Sequence, residues 1–134
     1  MKIKVVFIMG SESDSSHADT IARHLDEFDL EHVRYVASAH KQPRRVLEIL
    51  ESHKDDAVVF ITIAGRSNAL SGFVAANSEH PVIACPPFAD KTDMLVNIHS
   101  TLQMPSKTPV LTVIDPGNAA LAAHRIASLA TRRA

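Results

Sequence analysis

Short apolar runs and longer helix-like segments alternate five times along the chain. Two of the runs, Ile3–Met9 and Val58–Ile63, are rich in β-branched residues and contain almost no polar positions. Such continuous runs are typical of strands that are buried on both faces of a parallel sheet. The predicted strands are Ile3–Met9, Val33–Ala37, Val58–Ile63, Pro81–Cys85 and Val110–Ile114.

Between the strands, apolar residues recur every three or four positions, as in helices with one buried face. Ala18, Ile21 and Leu25 follow this spacing, and Pro43 suits the first turn of the next helix. Strict alternation of strands and helices predicts an α/β fold with a doubly wound parallel sheet and right-handed crossovers. The sheet would be the middle layer of a three-layer α/β/α sandwich of flavodoxin-like or Rossmann-like type. The predicted helices are Ser15–Phe28, one that begins near Pro43, one through Asn77, Thr92–Leu102 and Ala119–Leu129.

Composition narrows this picture to one domain, residues 1–134, with an aliphatic core. Apolar residues make up 46% of the chain, whereas aromatic residues make up only 4%. The net charge of −1 argues against nucleic acid or a membrane surface as a partner. The N-terminus has no signal-peptide pattern, and no apolar run approaches the roughly 18 residues of a membrane span, so a cytoplasmic protein is expected.

The loops after the first three predicted strands leave the same carboxyl edge of the sheet, where open α/β proteins bind ligands. The first loop is Gly10-Ser11-Glu12-Ser13-Asp14. Gly10 allows close approach of the backbone to a ligand, the two serine hydroxyls suit a phosphate, and Asp14 suits a ribose diol. Alternatively, Ser13 or Asp14 caps the following helix. Neither G-x-G-x-x-G nor a P-loop lysine follows, so dinucleotide and nucleoside-triphosphate fingerprints are absent.

The second loop contains Ser38-Ala39-His40-Lys41. A histidine at the mouth of a sheet can exchange a proton with a substrate near neutral pH, and Lys41 offers a cation to a phosphate or carboxylate. The alternative is a solvated His-Lys pair. No H-x-x-x-H pair accompanies a carboxylate, so no metal site is predicted. The other histidines are expected at or near exposed helical positions (His17, His24, His53) or without matching partners (His32, His80, His99, His124).

The third loop, Ile63–Gly72, combines two glycines with a cation and small polar residues. Arg66 can bind an anion or make a surface contact. Ser67 and Asn68 either cap the next helix or direct donors at a bound carboxylate or CO₂. The single cysteine, Cys85, excludes an internal disulfide and is expected to be buried and structural at the end of an apolar strand.

Together these loops resemble the aminoimidazole ribonucleotide (AIR) carboxylase family of purine biosynthesis. The pairing of G-S-x-S-D with S-A-H-[RK] at this spacing is highly specific, and the matching segments run through nearly the whole chain in family order. They are Met9–Asp14, Ser38–Lys41, Ala64–Asn68, Pro81–Pro87, Gln103–Pro105 and Gly117–Ala120.

The family has two classes. The common bacterial mutase converts N5-carboxyaminoimidazole ribonucleotide to the C4-carboxylated isomer (CAIR), and it typically has S-A-H-R and a histidine in the third loop. Here Lys41 replaces the arginine and Gly65–Gly72 has no histidine. This is similar to the class that joins CO₂ directly to AIR. The resemblance therefore implies a reversible, CO₂-dependent carboxylase. The mutase, a carboxylase of another ribonucleotide and a non-enzymatic nucleotide-binding module remain alternatives.

The resemblance also implies roles for single residues. Ser11 and Ser13 would hold the 5′-phosphate, and Asp14 the ribose hydroxyls. His40 would be the general acid and base that moves the C4 proton.

Lys41, with the loop of Ser67 and Asn68, would orient CO₂ or the new carboxylate. The reaction would require no metal, biotin, ATP or other cofactor, and the family assembles as homo-octamers. Lys107 stands where the family often has glycine. The remaining residues of the implied substrate site are Gly10, Ser38, Ala39, Gly65 and Arg66.

Overall fold

A computed structural model describes residues 2–132 as a five-stranded parallel sheet with the strand order β2-β1-β3-β4-β5. Helices cover both faces of the sheet. The predicted doubly wound α/β sandwich is therefore confirmed. The strands are β1 (Lys4–Met9), β2 (Glu31–Val36), β3 (Val58–Ile63), β4 (Val82–Ala84) and β5 (Leu111–Thr112).

Two hydrophobic cores lie on opposite faces of the sheet. One contains β1 and β3 side chains such as Phe7 and Ile61, which pack against the first and last helices. The other contains Val6 and Phe60, which pack against the second and third helices. The helices are α1 (Ser15–Glu27), α2 (Pro43–Ser52), α3 (Leu70–Ala76), α4 (Lys91–Asn97), α5 (His99–Leu102) and α6 (Pro116–Thr131).

The three strands that precede the polar loops end level with one another. Met9 of β1 pairs with Val36 of β2 on one side and with Ile63 of β3 on the other. Neighbouring strands lie about 4.8 Å apart, so three loops leave the sheet side by side within about 10 Å. The alignment of the strands therefore places the polar residues of all three loops at one edge.

The ends of several predicted elements shift in the structure; α6, for example, begins at Pro116 rather than at Ala119. Two further differences are a break in one helix and a shortened strand. The helix predicted over Thr92–Leu102 is interrupted at Ile98, where the Ser100 hydroxyl donates to the Asn97 carbonyl at 3.2 Å. Such a side-chain hydrogen bond competes with the helical backbone pattern. The last strand is only Leu111–Thr112, because β5 pairs with β4 alone and β4 is only three residues long.

The expectation that His53 is exposed is wrong. Its side chain is buried at the end of α2, where Nδ1 lies 3.0 Å from the Asp56 carboxylate and Nε2 lies 2.8 Å from the Tyr35 hydroxyl. The interaction with His53 holds the pKa of Asp56 below its usual range. This network lies at the amino edge of the sheet, opposite the polar loops, and joins the β2 and α2 segments.

Among residues 2–132, no helix is long and apolar enough to cross a membrane. The burial of Cys85 is confirmed. The single-domain organisation over residues 1–134 stays a prediction.

Candidate active site

A polar cavity of about 260 Å³ opens at the carboxyl edge of the sheet between the loops that follow β1, β2 and β3. All the sequence-predicted site residues line it except Lys41 and Asn68. The lining residues are Gly10, Ser11, Ser13, Asp14, Ser38, Ala39, His40, Ala64, Gly65, Arg66, Ser67, Ala69 and Leu70.

The first loop forms one wall and is held to the third. The Gly10 N–H donates to the Ile63 carbonyl at 2.9 Å. Ser11, rather than Ser13 or Asp14, caps the turn that follows: its hydroxyl accepts from the Ser13 N–H at 3.2 Å and from the Ser13 hydroxyl at 3.0 Å. Both hydroxyls therefore lie together at the cavity, in the turn that precedes α1.

Asp14 makes no side-chain capping bond to α1, so its carboxylate is not committed to the helix. Burial raises the pKa of this carboxyl, and a hydrogen bond from the Ser11 backbone and the nearby His17 offset part of the rise. A partly desolvated carboxylate is stabilised by hydrogen-bond donors of a ligand, such as a pair of ribose hydroxyls.

The second loop presents His40 to the cavity from a tight turn. The Gln42 N–H donates to the Ser38 carbonyl at 2.7 Å, and the Lys41 N–H donates to the Ser38 hydroxyl at 3.2 Å. Ser38, Ala39 and His40 line the cavity, whereas the exposed Lys41 does not. Lys41 is thus a residue of the rim.

The Nε2 atom of His40 lies 3.2 Å from the Ser67 carbonyl oxygen, across the cavity in the third loop. A carbonyl oxygen only accepts hydrogen bonds, so the imidazole Nε2 must carry the proton. In the neutral ring, Nδ1 is then the unprotonated nitrogen that can accept a proton from a ligand.

The third loop presents its backbone to the cavity and turns Asn68 away from it. Ser67 has a left-handed backbone with φ of 52°. The Asn68 side chain is buried and accepts from the Ser71 N–H at 3.2 Å, which favours the capping role over donation to a ligand. Arg66 is exposed and lies 3.8 Å from Asp93 of α4.

Sequence reasoning missed several residues that shape the site. Ala64, Ala69 and Leu70 line the cavity. Their apolar side chains have no reactive or charged group by which the sequence could mark them as site residues. Ser100 and Thr101 contact Asn68 from behind the loop. Both lie more than thirty residues further along the chain, and no local pattern connects them with the loop.

A larger depression of about 830 Å³ lies between α2 and the end of α3, away from the three loops. Several carboxylates border it, with Lys54 as the opposing cation, so its charge disfavours a phosphorylated ligand. The carboxylates are Glu48, Glu51, Asp55 and Glu79.

Within residues 2–132, no group of three or more histidine, cysteine or acidic side chains is placed to hold a metal ion. The cavity offers hydroxyls, a carboxylate, an imidazole and backbone amides. Groups of these types suit a polar, hydroxylated anion as ligand.

The fold and the cavity define a flavodoxin-like α/β protein with a polar site at the carboxyl edge of its sheet. The model of the AIR carboxylase family matches residues 4–134. The chain belongs to the AIR carboxylase family.

Individual relatives agree with this assignment. A phosphoribosylaminoimidazole carboxylase of Archaeoglobus fulgidus is 48% identical over 127 residues, which cover 95% of this chain and 70% of the relative. An N5-carboxyaminoimidazole ribonucleotide mutase of Methanocaldococcus jannaschii is 46% identical over 127 residues, which cover 93% of this chain and 79% of that protein. The crystal structure of Treponema denticola PurE superimposes with a TM-score of 0.88 at 44% identity, over 96% of this chain and 82% of that one.

Proposed function

We propose that this protein is a phosphoribosylaminoimidazole carboxylase that reversibly adds CO₂ to C4 of AIR to give CAIR. The observation that carries the proposal is His40, whose Nε2 is occupied by the Ser67 carbonyl and whose Nδ1 is left to exchange a proton. The name of the Archaeoglobus fulgidus relative supports the same activity.

The first loop would bind the ribonucleotide. The paired hydroxyls of Ser11 and Ser13 suit the 5′-phosphate, and the partly buried carboxylate of Asp14 suits the ribose diol. Gly10 and Ala39 line the same cavity and leave room beside these groups. The ring of the substrate would then lie beside His40, on the side of its Nδ1 atom.

The chemistry requires one bond to carbon and one proton transfer. The electron-rich C4 of AIR attacks the carbon of CO₂, a C–C bond forms, and one C=O electron pair moves to oxygen to give a carboxylate. The adduct still holds its C4 proton, which passes to Nδ1 of His40 and restores the aromatic ring. Return of that proton to C4 begins the decarboxylation.

The third loop would receive CO₂ and the new carboxylate. Gly65, Arg66 and Ser67 line the cavity beside His40, and Ser38 lines the opposite side. Backbone N–H groups and hydroxyls in this position stabilise negative charge as it develops. Lys41 and Arg66 place cations at the rim, where they attract an anionic substrate.

A second candidate is the mutase reaction on the same scaffold. It is favoured by the Methanocaldococcus jannaschii relative, which carries that name at 46% identity. Both reactions yield CAIR, so binding of CAIR does not separate them.

The experiment that separates them supplies the purified enzyme with CAIR and, in parallel, with N5-carboxyaminoimidazole ribonucleotide. A carboxylase releases CO₂ from CAIR and yields AIR, and it does not use the N5 isomer. The His40→Asn variant serves as the control and should lose about 10²–10⁴-fold in kcat while it still binds AIR. Rapid interconversion of the two isomers without net CO₂ release would contradict the carboxylase assignment.

We also propose a homo-octamer in the cytoplasm. Leu95, Val96 and Leu102 of α4 and α5 are exposed apolar side chains, which supports burial of this face against other copies. Light scattering after size exclusion should give the mass of eight chains. A monomeric mass at micromolar concentration would contradict the assembly.

A further inference from the structure

A buried hydrogen-bond cluster lies directly behind the third loop of the site. The Asn68 Nδ2 group donates to the Ser71 hydroxyl at 3.0 Å and to the Thr101 hydroxyl at 3.1 Å. The Asn68 backbone N–H donates to the Ser100 hydroxyl at 2.9 Å. The cluster thus joins the loop to α3 and to α5.

The polar atoms of Asn68 are all committed to this cluster. Both amide hydrogens are donated, and Oδ1 accepts from the Ser71 N–H at 3.2 Å. The residue is only 4% exposed and does not line the cavity. Its contribution to the site therefore passes through the backbone.

The backbone immediately before Asn68 is the part of the loop that contacts His40. Ser67 has φ of 52°, a left-handed conformation that costs a non-glycine residue energy and persists only where the surroundings hold it. That conformation directs the Ser67 carbonyl to Nε2 of His40 at 3.2 Å. Since Ser67 itself is exposed, the restraint comes from its neighbour.

We propose that Asn68 is a positioning residue, which with Ser100 and Thr101 of α5 fixes the Ser67 carbonyl and thereby holds His40 as the Nε2-protonated tautomer. His40 lines the cavity, and the cluster leaves its Nδ1 as the nitrogen that exchanges the substrate proton. The tautomer of His40 depends only on the hydrogen bonds described above. The catalytic role of that tautomer rests on the proposed carboxylase function.

A purely structural role for the cluster, as a cap of α3, would give a different result. Loss of a cap lowers the stability of the fold but leaves the imidazole as it is. The hydrogen bond to His40 is therefore the quantity to measure, independently of turnover.

The test uses ¹⁵N-histidine-labelled full-length protein and long-range proton–nitrogen spectra, with the His40 signals assigned by their absence in His40→Asn. The wild type should show the Nε2-protonated ring with an Nε2–H that exchanges slowly. In Asn68→Ala and in Thr101→Val, the second tautomer should become visible and the exchange of Nε2–H should become faster. Thr101→Ser retains the hydroxyl and should restore the wild-type spectrum.

The kinetic arm measures CAIR decarboxylation with the same variants. Asn68→Ala and Thr101→Val should lower kcat about tenfold or more with little change in KM, because the binding residues of the first loop are untouched. Asn77→Ala is the matched control: Asn77 is an exposed asparagine at the other end of α3 whose amide donates to the Phe73 carbonyl at 2.8 Å.

Two outcomes would overturn the proposal. One is a wild-type His40 protonated on Nδ1, and the other is an unchanged His40 spectrum in a folded Thr101→Val. The isosteric Thr101→Val keeps the test valid if Asn68→Ala does not fold. Altered spectra in a protein that does not turn over CAIR would support the positioning role and contradict the proposed function.

Discussion

The Nε2 atom of His17 in α1 lies 3.5 Å from the Sγ atom of Cys85 at the end of β4. Burial raises the pKa of the Cys85 thiol to about 12, and burial also lowers the pKa of His17. Both groups are thus neutral near pH 7, and the contact is a packed polar pair rather than an activated thiolate.

This relationship predicts an unreactive thiol. At pH 7.5, native protein should react with Ellman's reagent at least about 100-fold more slowly than protein unfolded in urea, because the thiolate is scarce and buried. The unfolded chain provides the control and should titrate as one thiol. Rapid labelling of the native protein would show that Cys85 is accessible and activated.

His17 should make the fold less stable in mild acid. The usual pKa of a histidine side chain is 6.5, and burial lowers the pKa of His17 in the native protein. The unfolded chain therefore binds the proton more tightly than the native protein does. The free energy of unfolding should therefore fall as pH drops below about 6.5. Urea melts of His17→Gln between pH 7.5 and 5 should show a smaller decrease than the wild type.

Asp14 should lower the stability of the fold at neutral pH. Its native pKa is raised above 3.8, so ionisation favours the unfolded chain, and stability is lost as pH rises through the native pKa. Asp14→Asn should unfold at a higher temperature than the wild type at pH 7, and the difference should vanish below pH 3.8. Differential scanning calorimetry measures the melting temperatures of both proteins at each pH.

The same variant should bind AIR at least about tenfold more weakly, through loss of a charged hydrogen-bond acceptor. Glu12→Gln removes an exposed carboxylate from the same turn and is the matched control for charge. A lower melting temperature for Asp14→Asn would mean that Asp14 stabilises the fold instead.

Lys107 has a left-handed backbone with φ of 61°, at the position where the resemblance to the family expects glycine. The left-handed conformation costs an L-residue about 1–2 kcal/mol, and the greater flexibility of glycine in the unfolded chain offsets part of any gain. Lys107→Gly should therefore raise the free energy of unfolding by up to about 1 kcal/mol in urea melts. Lys107→Ala retains the strain and should show no such gain.

Gly72 of α3 lies close to the side chain of Met104. An added Cβ would lie 2.8 Å from the Met104 Sδ, but this sulfur is near the free end of a flexible, half-buried side chain that can move aside. Alanine is favoured over glycine in a helix by about 1 kcal/mol, so Gly72→Ala should leave the free energy of unfolding unchanged or raise it by up to about 1 kcal/mol in urea melts.

A variant in the third loop provides the control. At Gly65, no atom lies within 4 Å of an added Cβ, so Gly65→Ala should leave stability unchanged. A loss of stability in Gly72→Ala but not in Gly65→Ala would show that Met104 cannot move aside.

The central part of the fold could be predicted from sequence because its signal is local. Val58–Ile63 is buried at every position, and the structure reproduces those bounds. The break at Ile98 coincides with a serine hydroxyl that bonds to the backbone, and the shortness of β5 follows from its pairing with the three-residue β4 alone. Neither feature alters the spacing of apolar residues along the sequence, so that spacing does not reveal them.

For the candidate site, sequence located the three loops but not the direction of every side chain. Asn68 turns away from the cavity because Thr101, 33 residues later, accepts from its amide. Outside the site, His53 is buried where Tyr35 of β2, 18 residues earlier in the chain, contacts its ring. Such pairings depend on how distant segments pack, and residue types alone do not specify them.

The level ends of β2, β1 and β3 have a consequence for how this chain tolerates insertions and deletions. One extra residue within Lys4–Met9 would advance the first loop by about 3.3 Å and reverse the side to which each later side chain of the strand points. Ser11 and Asp14 would then no longer face His40, although every residue would still be present. Length changes beyond α2 or α3, at the opposite edge, carry no such penalty, and that edge is where this molecule can lengthen without loss of its chemistry.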